Sequence, residues 1–205
     1  MLSELTITEF LSRTASSDPV PGGGSVSALG GAMAAALSEM VASITIGKKG
    51  FETHEKEMLE IVQKARSLRE KLSKDIERDS DSYSQVIEAY RLPHDTEENK
   101  NERSQAIQDG LKQAALIPLG VAKDASELLD LAGAVAARGN KNAITDAAVA
   151  AMMARTAILG ALLNVKINLK SIKDPSFVRD VEGQVQEIES KVDRKEKNIL
   201  DQIDV

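Results

Sequence analysis

Straight after the run Pro19-Val20-Pro21-Gly22-Gly23-Gly24, the chain enters a stretch of Ala, Gly, Ser and Met in which Glu39 is the only charged residue. A second stretch, 143–165, is just as poor in bulk, with Asp146 and Arg155 its only acid and base. Neither alternates in the way a half-exposed strand does, and both are long enough for a full-length helix. Helices that are apolar all round belong in an interior. Small residues at four-residue spacing let such helices approach closely. Both segments approach membrane-spanning length, but Ala, Gly and Ser gain little from lipid, and Asp146 and Arg155 would be costly at mid-bilayer. The expectation is two central helices of a bundle, and no membrane.

The rest of the chain reads as further helices. Thr6 and Glu9 have capping-box spacing and open a short helix through about Ala15. The first small-residue helix is expected from Ser25 to about Ile46, with Gly47 as its stop. From His54 to Tyr90, Met58, Ile61, Val62, Ala65, Leu68 and Leu72 recur at steps of three and four, which is one helical face. A further helix spans about Glu97 to Ala137, and Pro118 inside it is expected to kink or split it. Arg138–Asn142 is a break, Ala143 to Asn168 the second small-residue helix, and Asp174-Pro175 a start signal for a last amphipathic helix to about Ile203. The reading is an all-α compact bundle of about six helices, two of them small-residue-rich and central, in a single domain over 1–205.

Composition removes several function classes. Aromatics are only 2% of the residues and the net charge is -6, with no basic stripe, so a nucleic-acid partner is not expected. There is no Cys and only two His, which excludes thiolate chemistry and leaves no metal centre to expect. Met1-Leu2-Ser3-Glu4 has no basic region leading into an apolar run, so no secretory signal is expected and the cytoplasm is the expected location. The glycine run itself is a device for presenting bare backbone N–H groups at a helix start. It lacks the Lys-Ser/Thr ending of a phosphate loop, and Ser27 stands where the third glycine of a dinucleotide fingerprint would fall.

Three segments carry a resemblance: PVPGGGSVSALGGAMAAALSEMVASITIGKK (19–49), DSDSYSQVIEAYRLP (79–93) and GNKNAITDAAVAAMMARTAILGALLNVKINL (139–169). In this order and spacing they resemble the formiminotetrahydrofolate cyclodeaminase/methenyltetrahydrofolate cyclohydrolase family, over about Ser3 to Phe177. The resemblance implies a helical homodimer acting on a one-carbon unit between the bridging nitrogens of tetrahydrofolate, with the folate as substrate and no cofactor. Cyclodeamination, giving 5,10-methenyltetrahydrofolate and ammonia, is the leading expectation. The alternative reaction is cyclohydrolysis of the methenyl compound to 10-formyltetrahydrofolate. A non-catalytic helical dimerisation module is the alternative from another class.

Either reaction needs a proton acceptor, a proton donor and a carboxylate near an amidinium-like carbon. Asp79 and Tyr83, four apart, share a helix face; by themselves they read as a solvated face, and the resemblance makes them catalytic. Asp75 and Asp81 lie beside them. Asp146 is either a first-turn acid complementing the helix dipole or, as the resemblance implies for Thr145-Asp146, a buried carboxylate facing the ligand. Lys48 reads as a charge at the negative end of a helix; the resemblance implies a substrate-facing lysine, and Lys49 could take either role. Substrate binding is assigned to Gly22, Gly23, Gly24, Ser25, Asn142, Asn164 and Asn168. The amides of Asn164 and Asn168 have two open roles, gripping a pterin edge or bonding between helices. The two bulk-poor helices are expected to leave a dry, thin gap in which a flat pteridine meets Asp79 and Asp146.

Overall fold

The computed structural model describes residues 1–204 and contains six α-helices and no strand among them: α1 (Ile7–Thr14), α2 (Gly23–Ser43), α3 (Glu55–Arg91), α4 (Glu97–Arg138), α5 (Ile144–Leu169) and α6 (Pro175–Leu200). Local chemistry starts several of them. Thr6 Oγ1 accepts from the Glu9 N–H while Glu9 Oε2 accepts from the Thr6 N–H at 2.9 Å, the expected capping box. Asp174 Oδ1 accepts from the backbone N–H groups of Ser176 and Phe177 ahead of Pro175 at the first position of α6. Gly47, at φ 70, and Gly50, at φ 91, turn the chain after α2.

α2 and α5 lie antiparallel at the centre, α3 flanks α2, and α4 packs along both central helices. On the α5 side of α2, Gly23 faces Asn164, Ser27 faces Gly160, Gly30 faces Ala157 and Val41 faces Gly139. On the α3 side, Gly24 faces Asp79, Gly31 faces Leu72, and Glu39 pairs with Arg66 and Arg69. The alanines at these seams, Ala28, Ala34, Ala35, Ala150, Ala154, Ala157 and Ala161, have no exposed surface. On α3 the expected apolar stripe is buried except Val62, which is half-buried. By length and apolarity alone both central helices would suit a membrane span; in the bundle they bury against each other and against α3 and α4.

Two expectations need correction. There is no gap between α2 and α5. A methyl group added at Gly30 would meet Ala157 Cβ and Met153 Cε at 3.8 Å, and one added at Gly160 would overlap the Ser27 hydroxyl. Small residues bring the helices into direct contact, so their own side chains fill the space a ligand would need. Nor does Pro118 split α4, which runs unbroken through it. Proline cannot donate to the carbonyl four residues back, that of Ala114; Asn168 Nδ2 on α5 donates to that oxygen at 2.8 Å instead. The freed acceptor is satisfied by a neighbouring helix, which removes the main penalty for continuing the helix through proline.

Candidate functional site

α2 begins at Gly23, two residues earlier than its sequence suggests, and its N-cap, Gly22, has no side chain with which to hold the first-turn N–H groups. A carboxylate from α3 stands against this turn instead. Asp79 Oδ2 lies 3.0 Å from Ser25 Oγ, and the Ser25 backbone N–H contributes to the field at the carboxylate. Glycine at 24 is what admits it: a Cβ there would fall inside the carboxylate, and even the further oxygen, Oδ2, would be 2.5 Å away. Asp79 is thus a cap supplied from across the helix interface, at the positive end of α2.

Two effects oppose each other at that carboxyl group. Burial favours the neutral acid, while the hydrogen bonds from the Ser25 hydroxyl and backbone N–H favour the anion; burial wins, and the proton affinity of Asp79 is raised above the ordinary carboxylate value. No charged side chain enters that balance. Ser25 has no exposed surface, and its hydroxyl also lies 2.9 Å from the Ile76 carbonyl oxygen and 3.2 Å from Ser80 Oγ. Ser80 is itself buried.

The other residues at this end are arranged around the same helix start. Gly22 is half-buried and Gly23 is exposed, with Asn164 Nδ2 3.3 Å from where a Gly23 Cβ would stand. Asn164 is half-buried and donates to the Gly160 carbonyl at 2.9 Å. Tyr83 follows Asp79 by one turn of α3 and is 42% exposed. Asn168 lies one turn beyond Asn164, with its amide N–H committed to Ala114. Asp75 and Asp81 are separated from Asp79 by their surroundings: Asp75 is buried on the side toward α4, held by Arg78 Nη1 at 2.6 Å, and Asp81 is exposed.

Lys48, Asn142 and Asp146 are elsewhere. α2 climbs about 27 Å from Gly23 to Val41 at the usual helical rise, and Val41 packs on Gly139 at the start of the α4–α5 connection. There the buried Asn140 donates its N–H to Thr45 Oγ1 at 2.9 Å, and its Oδ1 accepts from the Asn142 N–H. Lys48 is half-buried just past α2, Asn142 is exposed, and Asp146 is half-buried in the first turn of α5. The expected site is therefore two groups at opposite ends of one helix pair: Gly22–Ser25, Asp79, Tyr83 and Asn164 at one, and Lys48, Asn142 and Asp146 at the other. Ser80 and Asn140 were not among the expected residues. The partner of the Ser80 hydroxyl lies on another helix, so no local signal marks it, whereas Asn140 caps its own short helical turn through the Asn142 N–H, a local signal that its sequence carries.

Between the two ends, α2 and α5 expose an apolar stripe each. Val26, Met33 and Met40 on α2, Ile44 at its C-cap, and Val149, Met152, Leu163 and Ile167 on α5 are each 39–66% exposed. Each stripe borders the α2–α5 seam, so together they form one apolar face along the bundle.

Residues 6–187 match the family model for formiminotransferase-cyclodeaminase. A methenyltetrahydrofolate cyclohydrolase of Methylorubrum extorquens is 41% identical over 180 residues, covering 88% of this chain and 86% of that one. The formimidoyltransferase-cyclodeaminase of Sus scrofa is 32% identical over 195 residues, which is 95% of this chain but 36% of that protein, so the chain spans only about a third of that relative. The crystal structure of a formiminotetrahydrofolate cyclodeaminase from Thermotoga maritima superposes with a TM-score of 0.89 at 32% identity, over 99% of this chain and 98% of that one. The matched segment takes in both ends of the helix pair, and the chain belongs to the formiminotransferase-cyclodeaminase family of folate enzymes.

Proposed function

We propose that the protein is a methenyltetrahydrofolate cyclohydrolase, opening 5,10-methenyltetrahydrofolate to 10-formyltetrahydrofolate, and that it works as a homodimer. The observation that carries an enzymatic reading is Asp79. It is a carboxyl group of raised proton affinity, held by a buried hydroxyl at a helix start whose glycines present no side chains to a ligand. In hydrolysis, water adds to the methenyl carbon, a carbon–nitrogen bond opens, and the departing nitrogen takes a proton. A carboxyl group whose proton affinity burial raises suits both transfers. Tyr83, one turn beyond Asp79 on α3, and Asn164, beside Gly23, are assigned to gripping the pteridine.

Between the two reactions, the relative that is 41% identical over most of both chains favours cyclohydrolysis over the cyclodeamination first expected. The Thermotoga maritima structure keeps cyclodeamination as the second reading. One assay separates them. A cyclohydrolase removes the near-ultraviolet absorbance of methenyltetrahydrofolate. A cyclodeaminase generates that band from formiminotetrahydrofolate with release of ammonia. A chain that does neither is a helical module without catalysis, and the proposal fails.

The apolar face supports the homodimer. A two-fold axis running across α2 and α5 would bury the exposed stripes against their copies. It would also lay the Asp79 end of one protomer against the Asp146 end of its partner, giving Lys48, Asn142 and Asp146 a place beside the same folate. Gel filtration at micromolar concentration tests it, a monomer being the contrary result.

A further inference from the structure

The Ser25 hydroxyl has more neighbours than it has protons. Its oxygen lies 2.9 Å from the Ile76 carbonyl, 3.0 Å from Asp79 Oδ2 and 3.2 Å from Ser80 Oγ, and all three partners sit on α3. A serine hydroxyl donates once and accepts up to twice. It can donate to Ile76 or to Asp79, but not to both. Two arrangements satisfy the cluster. With Asp79 ionised, Ser80 donates to Ser25 and Ser25 donates to the carboxylate, two hydroxyls aligned head to tail on an anion. With Asp79 protonated, the acid O–H donates to Ser25, and Ser25 turns to Ile76. The Ile76 carbonyl is not orphaned in the first arrangement, because its place inside α3 gives it the backbone N–H of Ser80.

We propose that Ser25 and Ser80 form a hydroxyl relay that lets Asp79 gain and lose its proton without leaving a buried polar group unpaired. Both are positioning residues, acting through Asp79, and the inference rests on Asp79 being the proton-handling group of the proposed reaction. Ser25 has no exposed surface and Ser80 only 6%, so bulk water does not substitute for either hydroxyl. Nothing charged competes with them. α2 carries no charge before Glu39, which is bound to Arg66 and Arg69. Lys166 of α5 is bound to Glu189 on α6. On α3 itself, Asp75 and Arg78 are paired with each other, Asp81 points to solvent, and Tyr83 lies a turn away. A carboxyl group whose protonation is set by two hydroxyls and burial, rather than by a neighbouring ion, is also little affected by salt.

The test reads the carboxyl directly and the reaction separately. In protein carrying carbon-13 at aspartate carboxyls, Asp79 is titrated in wild type, Ser25→Ala, Ser80→Ala and Ser38→Ala, and kcat is measured against pH for each. Ser38 is the control: it is equally buried on α2, but its hydroxyl bonds the Ala34 carbonyl of its own helix. Loss of the donor to an anion in Ser25→Ala is expected to move the Asp79 titration up by about one pH unit, a tenfold change in its ionisation. Ser80→Ala should move it in the same direction by less, and Ser38→Ala should leave it in place. The kcat profile should move in parallel. An unmoved titration in Ser80→Ala, or an equal movement in Ser38→Ala, overturns the relay. A titration that moves while the kcat profile stays fixed keeps the hydroxyl chemistry but removes Asp79 from the rate, which overturns the proposed mechanism instead. Ser80→Ala leaves the Ser25–Asp79 contact in place, so the test survives if Ser25→Ala does not fold.

Discussion

Gly24→Ala is the smallest change that tests whether Asp79 caps α2 and serves the reaction. The new methyl group would fall inside the Asp79 carboxylate, so the carboxylate must retreat by about 1 Å or more, or α2 must lift from α3. Overpacking of a close interface costs about 1–3 kcal/mol. Breaking the Ser25 hydroxyl's bond to a charged group costs about as much again. Alanine's better helix propensity returns only about 0.5–1 kcal/mol. The net loss is about 3 kcal/mol, which for a chain of this length lowers Tm by roughly 10 °C. Misplacing a proton-transfer group by about 1 Å lowers kcat by about 100-fold. The comparison is Gly120→Ala on α4, where nothing stands within 4 Å of the new methyl group, so that variant should melt slightly higher and turn over normally. Calorimetry and the methenyltetrahydrofolate absorbance assay read both quantities. If Gly24→Ala melts and turns over like Gly120→Ala, Asp79 neither holds the start of α2 nor takes part in the reaction.

Asn168→Ala should lower stability by about 1–3 kcal/mol in urea denaturation, because the Ala114 carbonyl beside Pro118 loses its only substitute donor; a raised KM with an unchanged midpoint would instead give the amide to the substrate. Met33→Glu puts a charge in the middle of the apolar face and should convert dimer to monomer in sedimentation, whereas an unchanged mass would place the interface elsewhere. Asp79→Asn should abolish turnover and change the pH dependence of melting. Burial raises the proton affinity of Asp79, so its contribution to stability is full below the usual carboxylate range and is lost as pH rises through its folded value. The neutral amide should therefore gain in Tm relative to wild type at pH 8 and not at pH 4; the reverse order would mean that the anion is the stabilising form.

What could be read from the sequence was what depends on neighbours a few residues away. The Thr6–Glu9 box and the Asp174-Pro175 start are complete within one turn of chain, and each stands where it was expected, whereas α2 ends at Ser43, three residues short of the expected Ile46 next to Gly47. Two misreadings have a common cause. α2 starts earlier than Ser25 because its cap is Asp79, and α4 passes through Pro118 because its donor is Asn168; each partner lies 54 positions from the residue it serves. The same limit applies to the site. Asp79 and Tyr83 share a face because four residues make one turn, and the glycine run is conspicuous in any reading. That α2 and α5 run antiparallel, so that Asp146 and Lys48 stand at the end of the helix pair opposite Asp79, depends on register between helices. No spacing within one helix contains that register. The expected gap failed for the reason that made it attractive: residues small enough to leave room for a ligand are also small enough to let two helices close that room.

The closed α2–α5 seam leaves a folate no room between those helices. The Asp79 and Asp146 ends can therefore meet one folate only across two copies, and this separates the proposed dimer from a monomer with one complete site. If a two-fold axis crosses α2 and α5, each site takes Asp79 from one protomer and Asp146 from its partner. Asp79→Asn and Asp146→Asn are then both inactive alone, each having lost one carboxylate from every site. When the two are mixed and allowed to exchange subunits, half of the dimers are mixed. Every mixed dimer has one site with both carboxylates replaced and one with both intact. Activity should therefore return to about a quarter of the wild-type value at equal total protein. If each protomer holds a complete site, or if the axis runs along the helices and brings like ends together, no partner supplies the missing carboxylate and the mixture stays inactive. A mixture that remains dead after subunit exchange, shown by mass-tagged protomers, would refute the shared site and confine the chemistry to the residues around Gly24 and Asp79.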